Sequence, residues 1–161
     1  MSVTEKADIY TLAQYGDIEC FRKKFDAKVI NKPNENGSSL LHLAIAGSKF
    51  EIATFLIEMG IDVNLQNKDG QTALHLIAQI QDVAVAKAIL EHGGDINIRD
   101  KYGNNAMWTA VFNCKGRLYD MVELFMKHSP DLDTKNKAGR SPVDFAKQVE
   151  NSKLLGMLGY A

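Results

Sequence analysis

The feature that most constrains this chain is that it repeats itself. Gly37-Ser38-Ser39-Leu40-Leu41-His42-Leu43-Ala44 returns as Gly70-Gln71-Thr72-Ala73-Leu74-His75-Leu76-Ile77 and again as Gly103-Asn104-Asn105-Ala106-Met107-Trp108-Thr109-Ala110. The glycines are spaced by 70 − 37 = 33 and 103 − 70 = 33 residues. A fourth copy, Gly139-Arg140-Ser141-Pro142-Val143-Asp144-Phe145-Ala146, follows after 139 − 103 = 36. The later part of the unit recurs too. Gly60-Ile61-Asp62-Val63-Asn64 becomes Gly94-Asp95-Ile96-Asn97 and then Pro130-Asp131-Leu132-Asp133, with aspartates 95 − 62 = 33 and 131 − 95 = 36 apart. Self-similarity at a period of roughly 20–50 residues points to stacked units, because one such unit cannot bury its apolar face alone.

Each unit reads as two helices and a turn. Ser39, Thr72, Asn105 and Ser141 share one register, and all four are good helix N-caps. The apolar residues after each cap form a first, inner helix. A second helix follows, with Ile52, Phe55, Leu56 and Met59 at i, i+3, i+4, i+7 spacing. The same register holds Val85, Ala88, Ile89 and His92, then Met121, Leu124, Phe125 and His128. Gly60 and Gly93 stand where a helix end favours a left-handed residue. The Asp-Val-Asn segment then turns back toward the next unit.

This pattern resembles the ankyrin repeat, whose period is about 33 and whose signature is T-P-L-H-x-A. Thr72-Ala73-Leu74-His75 is the nearest copy, and the Gly-x-Asp-Val-Asn tail is also typical. The resemblance covers residues 7–161. It implies an all-α solenoid of stacked helix pairs with short β-hairpin fingers, in about five repeats including two caps. The expected boundaries are an N-terminal cap repeat at 7–34, full repeats at 35–67, 68–100 and 101–136, and a C-terminal cap repeat at 137–161. Together they make a single domain over 1–161. Residues 7–34 lack a clear T-P-L-H segment, and Arg22, Lys23 and Lys24 suit an outward face. In the last unit a short second helix is expected from Lys153 to Leu158. The three extra residues of the 36-residue unit are placed around Cys114-Lys115-Gly116, in the turn between its helices.

Composition narrows the function. Apolar residues at 45% and charged residues at 24% are the balance of a soluble folded chain. Nineteen basic against twenty acidic residues leave a formal charge of −1, which offers no basic excess for nucleic acid or an anionic membrane. The polar stretch Met1–Lys6 is not a signal peptide, and no apolar run is long enough to span a bilayer. Cys20 and Cys114 form no C-x-x-C pair and no disulfide framework, so a reducing, cytoplasmic location is expected.

The residues capable of chemistry form no reactive set. His42 and His75 sit three residues after a cap. Their place in the ankyrin pattern implies a buried imidazole that hydrogen-bonds the loops of its own and the adjacent unit, not a base or a ligand. His92 and His128 lie one repeat apart with no acidic or cysteine cluster at zinc-site spacing. Cys114 stands among Lys115 and Arg117, and without a base and its orienting partner it reads as a free surface thiol on a loop. No phosphate-binding loop, H-E-x-x-H or G-x-S-x-G occurs. Neither a cofactor nor a catalytic set is expected, and the chain reads as a non-enzyme.

The resemblance instead implies a protein-binding module. Ankyrin proteins bind through their hairpin fingertips and the exposed side of the inner helices, which form a concave face. On this chain the fingertip candidates are Glu35 and Asn36, Asp69 and Gln71, Lys101, Tyr102 and Asn104, and Arg140. The inner-helix candidates are Gln79 and Ile80, then Phe112 and Asn113. Tyr102 and Phe112 place aromatic anchors on one repeat. Trp108 takes the place of the histidine, where it either fills the space between repeats or faces a partner. The fingertips run from Glu35 toward Lys101, Lys137 and Arg140, a gradient that would steer an acidic patch to the C-terminal half.

Two segments sharpen this. Tyr102–Asn113 and Asn136–Ala146 resemble small bacterial ankyrin proteins that act as immunity proteins, binding and neutralising a cognate toxin. A cytosolic adaptor or regulatory subunit with an unrelated client is the alternative. Either way the partner is another protein, and the chain is expected to be a monomer when unbound.

Overall fold

The computed structural model describes residues 7–115 and 118–160. Among them are ten α-helices, one 3-10 turn and no strand. The helices come in pairs: α1 (Ile9–Tyr15) with α2 (Ile18–Lys24), α3 (Leu40–Ala46) with α4 (Phe50–Glu58), and α5 (Ala73–Ile80) with α6 (Val83–Glu91). Then come α7 (Ala106–Asn113) with α8 (Asp120–Met126), and α9 (Pro142–Gln148) with α10 (Ser152–Met157). The odd-numbered helices stack on one another in sequence order, and the even-numbered helices stack behind them.

Helices of six to nine residues are too short to persist alone, so each depends on its ends and its neighbours. The caps fall where the sequence places them. Ser39, Thr72 and Ser141 form capping boxes, and Asn105 Oδ1 accepts the Trp108 N–H at 2.9 Å. The first unit obeys the same register: Asp8 Oδ1 accepts the Thr11 N–H at 2.7 Å. It is therefore a full helix pair despite its missing motif. Gly60 and Gly93 follow α4 and α6 with φ of +81° and +87°. After the inner helices the left-handed residue is Ser48, Gln81, Lys115 or Glu150.

The core runs along the seam between the two rows. The even-numbered helices bury a wider stripe than the spacing predicted. Ile52, Ala53, Leu56 and Ile57 are buried, as are Val85, Ala86, Ile89 and Leu90. At the i+7 positions Met59 departs from that stripe at 47% exposed, while His92 and His128 are exposed at the outer edge, as their register implies. Met59 and His92 are helix C-caps, where the chain has already turned away from the neighbouring row.

The insertion lies where expected, in the turn between α7 and α8, although Gly116 and its neighbour Arg117 fall outside the described residues. Cys114 is a correction. It is no surface thiol: it is 2% exposed, caps α7, and its Sγ donates to Val111 O at 3.1 Å. A Cβ on Gly47 would stand 1.9 Å from Gln14 O. That glycine holds α1 and α3 at close approach.

The fingers are four copies of one hydrogen-bonded turn. In the second, Asn67 Oδ1 accepts from the N–H groups of Asp69 (2.9 Å) and Gln71 (3.0 Å). Gly70 donates to Asn67 O, and Asn67 donates to Gln71 O, both at 2.9 Å. Asn34, Asp100 and Asn136 repeat the arrangement. The glycine of each finger has φ between +73° and +82°, a conformation that disfavours a side chain.

The tails stitch one unit to the next. Asn64 Oδ1 accepts the Asp95 N–H at 2.8 Å while its Nδ2 donates to Gly93 O at 2.9 Å. Asn97 does the same to Asp131 (2.7 Å) and Ser129 (3.3 Å). Asp133 occupies this register in the last tail, and its carboxylate accepts from Tyr160 Oη instead.

Candidate protein-interaction surface

The surface is assembled from the tips of the fingers and the solvent side of the inner helices. His42 and His75 hold the two together. Nδ1 of His42 accepts the Ser39 N–H at 3.2 Å, so the ring proton is on Nε2, which donates to Gln71 O at 2.8 Å. His75 accepts from the Thr72 N–H at 3.1 Å and donates to Asn104 O at 3.0 Å. Each imidazole thus ties an inner helix to the next finger. Burial holds both below the ordinary histidine value of 6.5, as desolvation disfavours the charged ring. With both nitrogens committed, neither is available as a ligand. Among the described residues, no group of three or more His, Cys, Asp or Glu is placed to hold a metal.

The predicted contact residues divide into two sets. Glu35, Asn36, Asp69, Lys101, Tyr102 and Arg140 lie exposed along the fingers, and Gln79, Ile80 and Phe112 lie exposed on the inner helices. Tyr102 is 56% exposed, Phe112 50% and Ile80 40%. Gln71, Asn104 and Asn113 are half-buried and engaged inside the solenoid. The Gln71 and Asn104 carbonyls receive the histidines, Asn104 Oδ1 accepts from Asn136 Nδ2 at 2.7 Å, and Asn113 Nδ2 donates to Thr109 O at 2.8 Å.

The charge gradient is partly spent within the chain. Lys101 Nζ lies 2.6 Å from Asp69 Oδ1 and 5.0 Å from the Tyr102 ring, and the bond to Asp69 raises its pKa. Lys135 pairs with Asp144 at 3.7 Å. Asp144, held low first by the Ser141 N–H, completes the capping box of α9. Arg140 Nη1 donates to Gln148 Oε1 at 2.9 Å, so its guanidinium rests over the end of α9.

Sequence reasoning missed Tyr15. It is 71% exposed, seven residues past the Asp8 cap, as Phe112 is seven past Asn105. It lines a groove of about 560 Å³ with Tyr10, Gln14, Glu35 and Leu43. Counting from the first Asp that can cap a helix finds it without any T-P-L-H signal. Trp108 takes the first of its two expected places, the space between repeats. It stacks on Phe112 at 5.2 Å and meets Phe145 at 5.9 Å, between the fourth and fifth helix pairs, while Phe112 carries the cluster to the surface.

No curated protein matches the chain in sequence. The family model for ankyrin repeats matches residues 41–136 as three copies. No helix among the described residues is long and apolar enough to cross a membrane. With a matched repeat over more than half its length and helix pairs stacked through cap, histidine and finger, the chain belongs to the ankyrin-repeat family, whose solenoids serve as protein–protein interaction modules.

Proposed function

We propose that this chain is a bacterial immunity protein, a cytoplasmic monomer that binds a cognate toxin across its concave face and neutralises it. The observation that carries the binding surface is the exposure of Tyr102 and Phe112 on a finger and an inner helix of the same repeat. Large apolar side chains left half in water on a scaffold this well bonded are the usual energetic centres of an interface. Tyr15 and Ile80 extend the apolar surface along the same row of helices. The immunity role itself rests on the resemblance of Tyr102–Asn113 and Asn136–Ala146 to small bacterial immunity proteins.

The test is co-expression with the product of the adjacent gene, followed by purification of the tagged chain. A one-to-one complex with a toxic neighbour, silenced by co-expression, is the expected result. Recovery of an unrelated client without a toxic neighbour replaces the immunity reading with the adaptor one. In the same complex, Tyr102→Ala with Phe112→Ala should weaken binding by about 100-fold or more while the helical signal and cooperative unfolding persist. Undiminished affinity in the folded double variant moves the interface elsewhere.

A further inference from the structure

The fifth helix pair, α9 with α10, is fastened to the fourth unit by bonds of a different kind from those earlier in the stack. There, imidazoles tie inner helices to the next finger, His42 to Gln71 O and His75 to Asn104 O. Asn31, Asn64 and Asn97 each accept the aspartate N–H of the following tail at 2.7 to 2.8 Å. Neither kind of bond reaches the fifth unit. Trp108 stands in place of the histidine, and its buried indole Nε1 has no hydrogen-bond partner among the described residues. Asp133 stands in place of the asparagine.

Two tyrosine hydroxyls take over, one at each end of α10. Before the helix, its N-cap Asn151 donates through Nδ2 to Tyr119 Oη at 3.1 Å. After it, Tyr160 Oη lies 2.7 and 2.8 Å from the two carboxylate oxygens of Asp133 and donates to that carboxylate. Tyr160 is also fixed to its own unit. Its N–H donates to Leu155 O at 2.9 Å, and Lys147 Nζ stands 5.5 Å from its ring. Residues 158–160 thus form a strap from α10 back to the fourth unit. Tyr160 and Asp133 are both exposed, so water can satisfy each of them when the strap lets go.

The strap closes an apolar seam that contains an unsatisfied donor. Phe145 of α9 lies 5.9 Å from the Trp108 ring and 5.3 Å from Phe112. Cys114, buried, lines the same small cavity as Phe145 and Leu154. Parting the seam wets these apolar groups, which opposes opening, and lets water reach the indole, which assists it. With those effects in opposition, a single bond at the rim weighs in the balance.

We infer that the fifth helix pair is a detachable end unit, shut by the Tyr160 strap on Asp133 and released as one piece while the other four pairs stay folded. Shut, it sets Phe145 against Phe112; open, it bares the Trp108 ring and Cys114. On the protein-binding reading above, the strap decides whether the face beside Phe112 is complete.

Cys114 is the probe of opening, and Cys20, in the first unit, is the internal reference. The full chain and Tyr160→Phe, which loses the hydroxyl and keeps the ring near Lys147, are treated with excess N-ethylmaleimide. Modification of each cysteine is followed by peptide mass spectrometry, with far-UV circular dichroism confirming the fold. Tyr160→Phe should speed Cys114 labelling about fivefold relative to Cys20. In the unaltered chain, the Cys114 rate should rise with urea at a smaller m than global unfolding, because only one helix pair comes away. Equal Cys114 rates in the two chains overturn the strap. A rate that follows the m of global unfolding overturns the detachable unit. No partner enters the measurement, so either failure leaves the protein-binding reading standing.

Discussion

His42 and His75 are the residues at which sequence and structure meet most closely. The sequence places them three past a cap. The structure adds that Nδ1 faces a backbone N–H, so protonation would set two donors against each other. Both rings are 2% exposed or less. Their pKa values are lower folded than unfolded, first through burial. Above pH 6.5 both states hold the rings neutral, and the histidines do not tilt the balance. As pH falls below 6.5 the unfolded chain takes up protons that the folded chain refuses, so stability declines. The slope approaches about 1.4 kcal/mol per pH unit for each ring. Denaturant melts from pH 7.5 to 5 should show this decline, and it should be reduced in His75→Gln. A variant melt with an unchanged pH slope would mean that His75 titrates alike in both states.

At the scale of the element, the repeat is a device for passing backbone groups to a neighbour. The tail asparagines show this best. Asn97 accepts the Asp131 N–H and donates to Ser129 O in the next unit. Asn97→Asp keeps the acceptor and loses the donor. It should cost about 1 kcal/mol, read as a shift in the denaturant midpoint at constant m. Asp133→Asn should not show that cost, because the carboxylate of this last tail accepts from Tyr160. Helix caps, the left-handed glycines and the insertion in the α7–α8 turn were all legible in the sequence, since each is a local requirement of a short helix or a tight turn. The partners of Asn31, Asn64 and Asn97 were not, because each bond spans 29 to 34 residues. The engagement of Gln71 and Asn104 was hidden for another reason. Their backbone carbonyls receive the histidines, and a carbonyl carries no residue identity. Burial of Cys114 was obscured by the insertion, which broke the register just where it had to be counted.

For the whole molecule, stability is close to a sum over units and the junctions between them. The fifth unit is held without an imidazole bond from the fourth and without an asparagine tail. Finger contacts remain, including Lys137 N–H to Tyr102 O at 2.8 Å. Amides of α9 and α10 should therefore exchange with solvent through an opening of lower free energy than those of α5 and α6. Native-state hydrogen exchange measures this directly. Equal protection across both pairs would show the ring junction to be as strong as the bonded ones. Three of the partner-binding candidates, Tyr102, Phe112 and Arg140, flank this same junction, while Tyr15 stands at the opposite end of the row.

A junction closed by rings also answers to temperature differently from one closed by hydrogen bonds. Apolar association weakens on cooling. The Trp108–Phe112–Phe145 cluster should then loosen toward the cold while the His42 and His75 junctions keep their grip. A ligand that depends on the fifth unit being seated would lose affinity in the cold, and one gripping only the middle of the stack would not.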